Sequence, residues 1–147
     1  MLDTCAYNAL TEDPDVLKLV KGAVQKGYEF YITHVQVDEI VEISDKNKEK
    51  RKKAVLFLAY GRPHILLTET GVWGHSRWDF FKFGDEDSVY HKLLNGNKSN
   101  IKDALIGETA IKNECTLITD DLDLIGRMVA IGGRVKRYAD FKHDVLG

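Results

Sequence analysis

Short apolar runs alternate with longer segments of helical periodicity from one end of the chain to the other. The short runs are rich in β-branched, aromatic and aliphatic residues, and they predict strands at residues 1–3, 28–32, 64–67, 116–119 and 134–138. The longer segments place apolar residues three and four positions apart, and they predict helices at residues 16–27, 33–43, 54–61, 85–94, 101–113 and 120–128. A short helix is expected to close the chain.

Strands that alternate with helices predict an α/β domain with a mainly parallel sheet that helices cover on both faces. Crossover connections in such a sheet are right-handed. The 147 residues suit a single hydrophobic core, and neither a linker nor an internal repeat divides them. We therefore expect one domain over residues 1–147.

Composition adds few constraints, because 44% hydrophobic and 30% charged residues are ordinary for a globular protein. The net charge of −2 supplies no overall positive field, so a polyanion would need a local basic patch. Cys5 and Cys115 form no CxxC pair, which favours buried free thiols in a reducing compartment. No apolar run approaches the ~18 residues of a membrane span, and no basic leader precedes Asp3. We expect a cytoplasmic protein without a membrane partner.

Four acidic residues stand where a lone carboxylate is costly: Asp3, Glu39, Asp103 and Asp121. Asp3 ends the first strand, and capping of the following helix is an equally good reading of it. Glu39 shares one row of its helix with Val35 and Ile43, which argues against a freely solvated side chain. A glutamate at the boundary of that helix face is the alternative.

Asp103 is the strongest of these four signals. Its helix places it within an arc of small and apolar residues, Ala104, Ile106, Gly107, Ala110 and Ile111. The other side of the helix carries Lys102, Glu108, Thr109 and Lys112. Burial of an unpaired charge is strongly unfavourable, so Asp103 needs a bound cation or an Arg or Lys from elsewhere in the chain.

Asp121 follows an apolar strand, and the neighbouring Asp120 shares that position. One of the two is expected to cap the next helix. Asp123 lies in the first turn of that helix, where the helix dipole favours a negative charge. A structural reading is therefore available for each of these three acids.

The four acids would meet at one place, because ligands bind outside the carboxyl ends of parallel strands. Two like charges ~4 Å apart repel by roughly 4 kcal/mol at an effective dielectric near 20, so a fold gains no stability by gathering them. A hard divalent cation with oxygen ligands would neutralise them. The spacing of the acids thus predicts a site for Mg²⁺ or Mn²⁺.

The chain resembles the PIN-domain ribonucleases, which include the VapC-type toxins of toxin–antitoxin pairs and RNA-processing nucleases. Four pieces carry the resemblance: residues 2–4 (LDT), 32–40 (ITHVQVDEI), 102–110 (KDALIGETA) and 116–121 (TLITDD). No single piece is specific, whereas their order and spacing are. Residues 68–100 have no simple counterpart in the short toxins, and relatives usually carry more apolar residues before the first acid.

The resemblance implies a three-layer α/β/α sandwich with a mainly parallel, roughly five-stranded sheet. It also implies that Asp3, Glu39, Asp103 and Asp121 hold Mg²⁺ or Mn²⁺ and carry catalysis. Asp123 or Asp120 is implied as a further ligand, and Thr119 and Thr4 as hydrogen-bonding residues beside the ligands. The implied partners are an RNA substrate, an antitoxin protein and a second copy of the chain.

Contacts to an RNA backbone are expected from the basic run Lys46, Lys48, Lys50, Arg51, Lys52 and Lys53. A solvated helix face is the alternative reading of that run. Arg77, between Trp73 and Trp78, could stack on bases, although aromatic packing under a long loop explains it equally well.

These observations favour a metal-dependent endoribonuclease that hydrolyses RNA phosphodiester bonds. One alternative is a non-catalytic PIN-like domain that binds a partner, and another is a structure-specific DNA nuclease. A phosphoacceptor receiver domain is disfavoured because residues 3–4 offer one acid where receivers need a pair.

Overall fold

The computed structural model describes residues 1–68, 70–72 and 89–147, with the backbone alone at 43–46. The structure is mostly helical, with 64% of its residues in helices. The predicted three-layer α/β/α sandwich with a roughly five-stranded sheet is therefore wrong. The strands end after two or three residues because the chain passes from each apolar run almost directly into a helix or turn.

The helices of the described ranges are α1 (Thr4–Glu12), α2 (Val16–Gln25), α3 (His34–Lys46), α4 (Lys48–Leu56), α5 (Val89–Leu94), α6 (Ile101–Lys112), α7 (Leu122–Ala130) and α8 (Tyr138–Leu146). A π-helical turn at Phe57–Gly61 and a 3₁₀ turn at Lys98–Asn100 extend them. The strands are β1 (Tyr31–Thr33), β2 (His64–Leu66), β3 (Leu117–Ile118) and β4 (Val135–Lys136). None of these helices is long and apolar enough to cross a membrane.

The predicted helices beginning near residues 16, 33, 101 and 120 are confirmed to within two residues at their starts. The strand predicted at residues 1–3 is wrong, because Leu2 forms only an isolated bridge and α1 begins at Thr4. The strand predicted at 28–32 is displaced to Tyr31–Thr33. Residues 85–88 of a predicted helix, together with Trp73 and Trp78, lie outside the described residues.

The strands form two separate parallel pairs, β1 with β2 and β3 with β4. Leu2 adds a parallel bridge to Ile118, whose N–H donates to the carbonyl of Met1 at 2.7 Å. The Gln36 side chain connects the two pairs: its amide oxygen accepts the Thr33 N–H at 2.6 Å, and its amide nitrogen donates to the Leu2 carbonyl. One side chain of α3 thus ties the end of β1 to the segment that leads to Asp3.

Two hydrophobic clusters form the core. One packs α1, α2 and α8 around Phe57, and the other packs α5, α6 and α7 around Leu105. Gly107 of α6 allows close helix approach, because a Cβ there would lie 2.8 Å from Leu93 Cδ1 and 2.9 Å from Met128 Sδ. Gly107 thus allows α6 to pack closely against α5 and α7.

Candidate active site

Asp3 is 2% exposed and begins α1 as its N-cap. Its Oδ1 accepts the Ala6 N–H at 2.7 Å, which satisfies a backbone donor that the first helical turn leaves unpaired. Its Oδ2 accepts the hydroxyl proton of Thr119. The two readings of Asp3 are therefore not exclusive, since the same carboxylate caps a helix and faces the end of β3.

Asp121 is the N-cap of α7. Its Oδ1 accepts the N–H groups of Asp123 at 2.9 Å and Leu124 at 3.1 Å. Its own N–H donates to the Thr119 hydroxyl at 3.1 Å. Thr119 therefore joins the two acids, because its hydroxyl donates to Asp3 and accepts from the backbone of Asp121.

Asp103 lies half-buried in the first turn of α6. Burial raises the pKa of Asp103 above its ordinary value, and the charges of Asp121 and Glu39 raise it further. Arg127 and Lys102 oppose this rise in pKa. The guanidinium of Arg127, on α7, lies 4.0 Å from Asp103 Oδ2. Arg127 is therefore the ion-pair partner that Asp103 is expected to need if no cation is bound, at the outer distance limit of a salt bridge.

Glu39 lies partly buried on α3 and has two side-chain partners. The Thr4 hydroxyl donates to Oε2, and the ammonium of Lys102 lies 3.3 Å from Oε1. A small gap of about 10 Å³ lies beside Asp3, Thr4 and Glu39, and mostly apolar side chains line the rest of it. That volume corresponds to roughly one water molecule.

Asp3, Asp103 and Asp121 lie close enough for their charges to act on one another's surroundings, and Thr119 bonds both Asp3 and the backbone of Asp121. Burial raises the pKa of Asp3 to about 6, hydrogen bonds from Ala6 and Thr119 oppose the rise, and the charges of Asp103 and Asp121 add to it. With Glu39 beside Asp103, we call these four residues the acid cluster. They come from four stretches of the sequence and from the starts or faces of α1, α3, α6 and α7.

Cys5 lies near the same acids, and their charges affect the pKa of its thiol. Partial burial raises the pKa of its thiol, and the charges of Asp3, Asp121, Asp120 and Asp103 raise it further. The prediction of buried thiols is wrong, because Cys5 is exposed and Cys115 is partly exposed. Cys5 lies in the first turn of α1, on a side of the helix that solvent reaches.

Asp120 and Asp123 have other surroundings. Asp120 Oδ1 accepts Arg137 Nε at 3.3 Å and the Tyr138 N–H at 3.2 Å, so it binds the start of α8. The side chain of Asp123 is exposed, and its carbonyl accepts Arg127 Nε at 3.2 Å. Asp121 therefore belongs to the acid cluster, whereas the adjacent Asp120 does not.

The donor chemistry of the acid cluster fits Mg²⁺ or Mn²⁺, since all of its side chains offer carboxylate oxygens. Within residues 1–68, 70–72 and 89–147, however, no three His, Cys, Asp or Glu side chains are placed to hold one metal ion together. Positive charge comes instead from Lys102 and Arg127. Coordination of one ion by the acid cluster would therefore require its side chains to shift.

The predicted RNA-contacting lysines make contacts within the chain. Lys50 pairs with Glu12 at 3.0 Å and Lys52 with Glu49 at 3.0 Å. The ammonium of Lys53 donates to the carbonyl of Asp13 at 3.2 Å. Arg77, the remaining predicted contact to bases, lies outside the described residues.

Sequence reasoning missed three charged residues near the cluster or its helix. It placed Lys102 and Glu108 on the far side of α6 and did not consider Arg127. Glu108 is in fact 1% exposed, because α5 packs over α6, and its Oε1 accepts the Tyr90 N–H at 3.2 Å. The adjacency of Lys102 to Asp103 was an available signal, whereas no local pattern points to Arg127.

A cavity of about 490 Å³ lies between β1 and β3, and no residue of the acid cluster lines it. Aromatic side chains line it together with Arg134 and Lys136.

No protein-family profile, curated protein or solved structure significantly matches the chain. The resemblance to PIN-domain ribonucleases therefore stays a prediction from the four sequence pieces.

Proposed function

We propose that this chain is a divalent-metal-dependent endoribonuclease that hydrolyses RNA phosphodiester bonds. One observation carries the proposal: Asp3, Asp103 and Asp121 come from distant parts of the sequence, the Thr119 hydroxyl bonds both the Asp3 carboxylate and the Asp121 N–H, and nearby acids raise the pKa of Asp3 and of Asp103. Partly desolvated like charges destabilise a fold, so their assembly is better explained by a ligand of opposite charge than by stability.

The residues of the acid cluster would hold the cation, with Asp3, Glu39, Asp103 and Asp121 supplying oxygen atoms. When bound, Mg²⁺ or Mn²⁺ supplies an activated water and neutralises charge on the phosphoryl group. Thr119 holds Asp3 through its hydroxyl, and Thr4 holds Glu39 in the same way. Both threonines thereby restrict the rotamers of the acids that they contact.

RNA enters the proposal through the resemblance to PIN-domain ribonucleases. Lys102, exposed beside the cluster, is the described cation best placed to meet a phosphate. An antitoxin partner, a homodimer and a cytoplasmic location belong to the same proposal, as does a role as a toxin or in RNA processing.

Replacement of Asp103 tests the proposal directly. Asp103→Asn removes one negative charge with little change of shape, and we expect Mn²⁺-dependent cleavage of a structured RNA to fall by about 100-fold or more. The matched control is Asp140→Asn, which removes an exposed acid of α8 outside the cluster. Undiminished, metal-dependent cleavage by Asp103→Asn would remove the central claim. Parallel digestion of a flap DNA separates an RNA nuclease from a DNA nuclease.

A non-catalytic partner-binding domain is the second candidate. It is favoured by the present partners of the acids: Lys102 pairs with Glu39, Arg127 faces Asp103, and Asp121 caps α7. This candidate predicts no cleavage of RNA or DNA and no stabilisation by Mn²⁺. A thermal unfolding series in MnCl₂ distinguishes the two, because a ligand at 100 times its Kd stabilises the folded state by about 2.7 kcal/mol.

A further inference from the structure

In the described part of the chain, two cations lie beside the acid cluster, and they are held very differently. Arg127 has a side chain only 14% exposed, its guanidinium donates to the Leu93 carbonyl, and its Nε donates to the Asp123 carbonyl at 3.2 Å. It therefore ties the end of α5 to α7 and cannot move away without breaking that link. Its position beside Asp103 is part of the scaffold.

Lys102 has the opposite character. Its side chain is 47% exposed, and its ammonium lies 3.3 Å from Glu39 Oε1. The lysine end of this pair is open to solvent, although the Glu39 side chain is only 12% exposed, so solvent screens the attraction and the lysine loses side-chain entropy to keep the contact. Water and a flexible four-carbon stem allow the ammonium to leave Glu39 at small cost.

The position of Lys102 gives this pair a consequence for the cluster. The ammonium of Lys102 pairs with the carboxylate of Glu39, and its charge also opposes the rise in the pKa of Asp103, the next residue on α6. These two acids belong to different helices, α3 and α6. The ammonium thus supplies positive charge at the place where carboxylates of two elements converge.

We propose that Lys102 is an internal counter-cation that competes with a divalent cation for the carboxylates of Glu39 and Asp103. A metal ion binds only as the ammonium withdraws, so Lys102 lowers the affinity of the site for metal. Arg127 stays in place in both states. This inference rests on the proposed function, since it describes the regulation of the same site.

Measurement of Mn²⁺ affinity tests the competition without relying on activity. The full chain is titrated with MnCl₂, and free Mn²⁺ is counted by its electron paramagnetic resonance signal. Lys102→Gln should lower the Kd for Mn²⁺ roughly threefold, the scale of an ion pair that solvent partly screens. Lys102→Arg, which keeps the charge, should bind close to wild type.

Lys112→Gln is the matched control, because it removes an exposed lysine from the last turn of the same helix. It corrects for the change in net charge and should leave the Kd unchanged. Lys102→Met repeats the measurement with an apolar side chain, and circular dichroism verifies the fold of each variant. If both neutral variants bind Mn²⁺ no more tightly than Lys112→Gln does, the competition is refuted.

The outcomes for the two proposals are separable. Wild-type protein that binds Mn²⁺ and cleaves RNA, with unchanged affinity in the neutral Lys102 variants, overturns the competition alone. Absence of Mn²⁺ binding in the wild type and in every Lys102 variant overturns both proposals. Binding that emerges only after neutralisation of Lys102 supports the competition in its strongest form.

Discussion

Asp3 combines a structural role with an electrostatic penalty. Its carboxylate caps α1 and accepts a hydrogen bond from Thr119, yet burial and two nearby acids raise its pKa from the ordinary 3.8 to about 6. Because the folded-state pKa exceeds the ordinary value, the fold prefers the protonated form. Its contribution to stability is therefore complete below about pH 4 and is lost as the pH rises through about 6.

Asp3→Asn should accordingly be more stable than the wild type at pH 7.5 and inactive as a nuclease. Asparagine retains an oxygen for the Ala6 N–H and is an equally good N-cap. The gain in unfolding free energy should reach at most about 3 kcal/mol at pH 7.5 and vanish by pH 4. Urea unfolding at the two pH values measures it. A variant less stable than the wild type at pH 7.5 would contradict a desolvated charge at this position.

Asp13 is a control for Asp3, because its pKa is shifted in the opposite direction. Burial alone would raise its pKa, but hydrogen bonds from Lys142, the Asp15 N–H and Tyr138 outweigh it and lower the pKa below 3.8. Its contribution is present above about pH 4 and is lost as the pH falls through the lower folded-state value. Asp13→Asn should destabilise the fold by about 2 kcal/mol at pH 7.5 without affecting metal binding.

At the scale of elements, helix starts determine where the acids lie. Asp3 caps α1 and Asp121 caps α7. Asp3 directly follows Leu2, which forms a parallel bridge to Ile118, and Asp121 lies three residues after Ile118. The N-terminus of a helix carries partial positive charge, which favours a carboxylate there. Capping and the placement of acids beside one another thus come from the same residues, so a cap role alone is no evidence against function.

Substitutions at Asp121 can separate these roles. Asp121→Asn keeps a cap oxygen and should alter stability by only a few tenths of a kcal/mol while abolishing cleavage. Asp121→Ala should abolish cleavage and also lower the unfolding free energy by about 1 kcal/mol. Thermal unfolding and RNA cleavage are measured on the same samples.

The neighbouring Asp120 is the control for this pair. Asp120→Asn weakens the contact with Arg137 at 3.3 Å but leaves the acid cluster intact, so cleavage should persist. Loss of cleavage in Asp120→Asn with full activity in Asp121→Asn would show that Asp120, and not Asp121, belongs to the site.

On the scale of the whole molecule, Gln36 connects parts that the short strands leave separate. Its side chain joins the end of β1 to Leu2, which precedes Asp3 and bridges to β3. The two hydrophobic clusters lie on helices from both halves of the chain. A single buried amide therefore contributes to the alignment of Asp3 with the rest of the cluster.

Gln36→Leu should lower the unfolding free energy by about 2 kcal/mol, because it leaves the Leu2 carbonyl and the Thr33 N–H without the partner they now have. It should also reduce any nuclease activity, since Leu2 is no longer held. Gln25→Leu, at an exposed position of α2, is the control. Equal stability of the two variants in urea would show that the amide bridge is unimportant.

The helices were accessible from sequence where local chemistry specifies them. Val16–Gln25 follows a proline between two acids and repeats apolar residues at helical spacing, and Ile101–Lys112 is equally regular. The acids of the candidate site were nominated by the same local logic, from charges at strand ends or among apolar neighbours. Asp3 is buried, and the charges of Asp103 and Asp121 raise its pKa, but the assignment of these acids to a metal site stays a prediction.

The sequence by itself determined the caps, the periodic helices and the identity of the acids, because each depends on residues a few positions apart. Tertiary structure alone decided that the short apolar runs form two parallel pairs, that Glu108 is covered by α5, and that Lys102 and Arg127 meet the acids. Strands of two or three residues gain too little from local preference to specify their partners. Pairing of charges across helices depends on packing between distant segments, which no local pattern encodes.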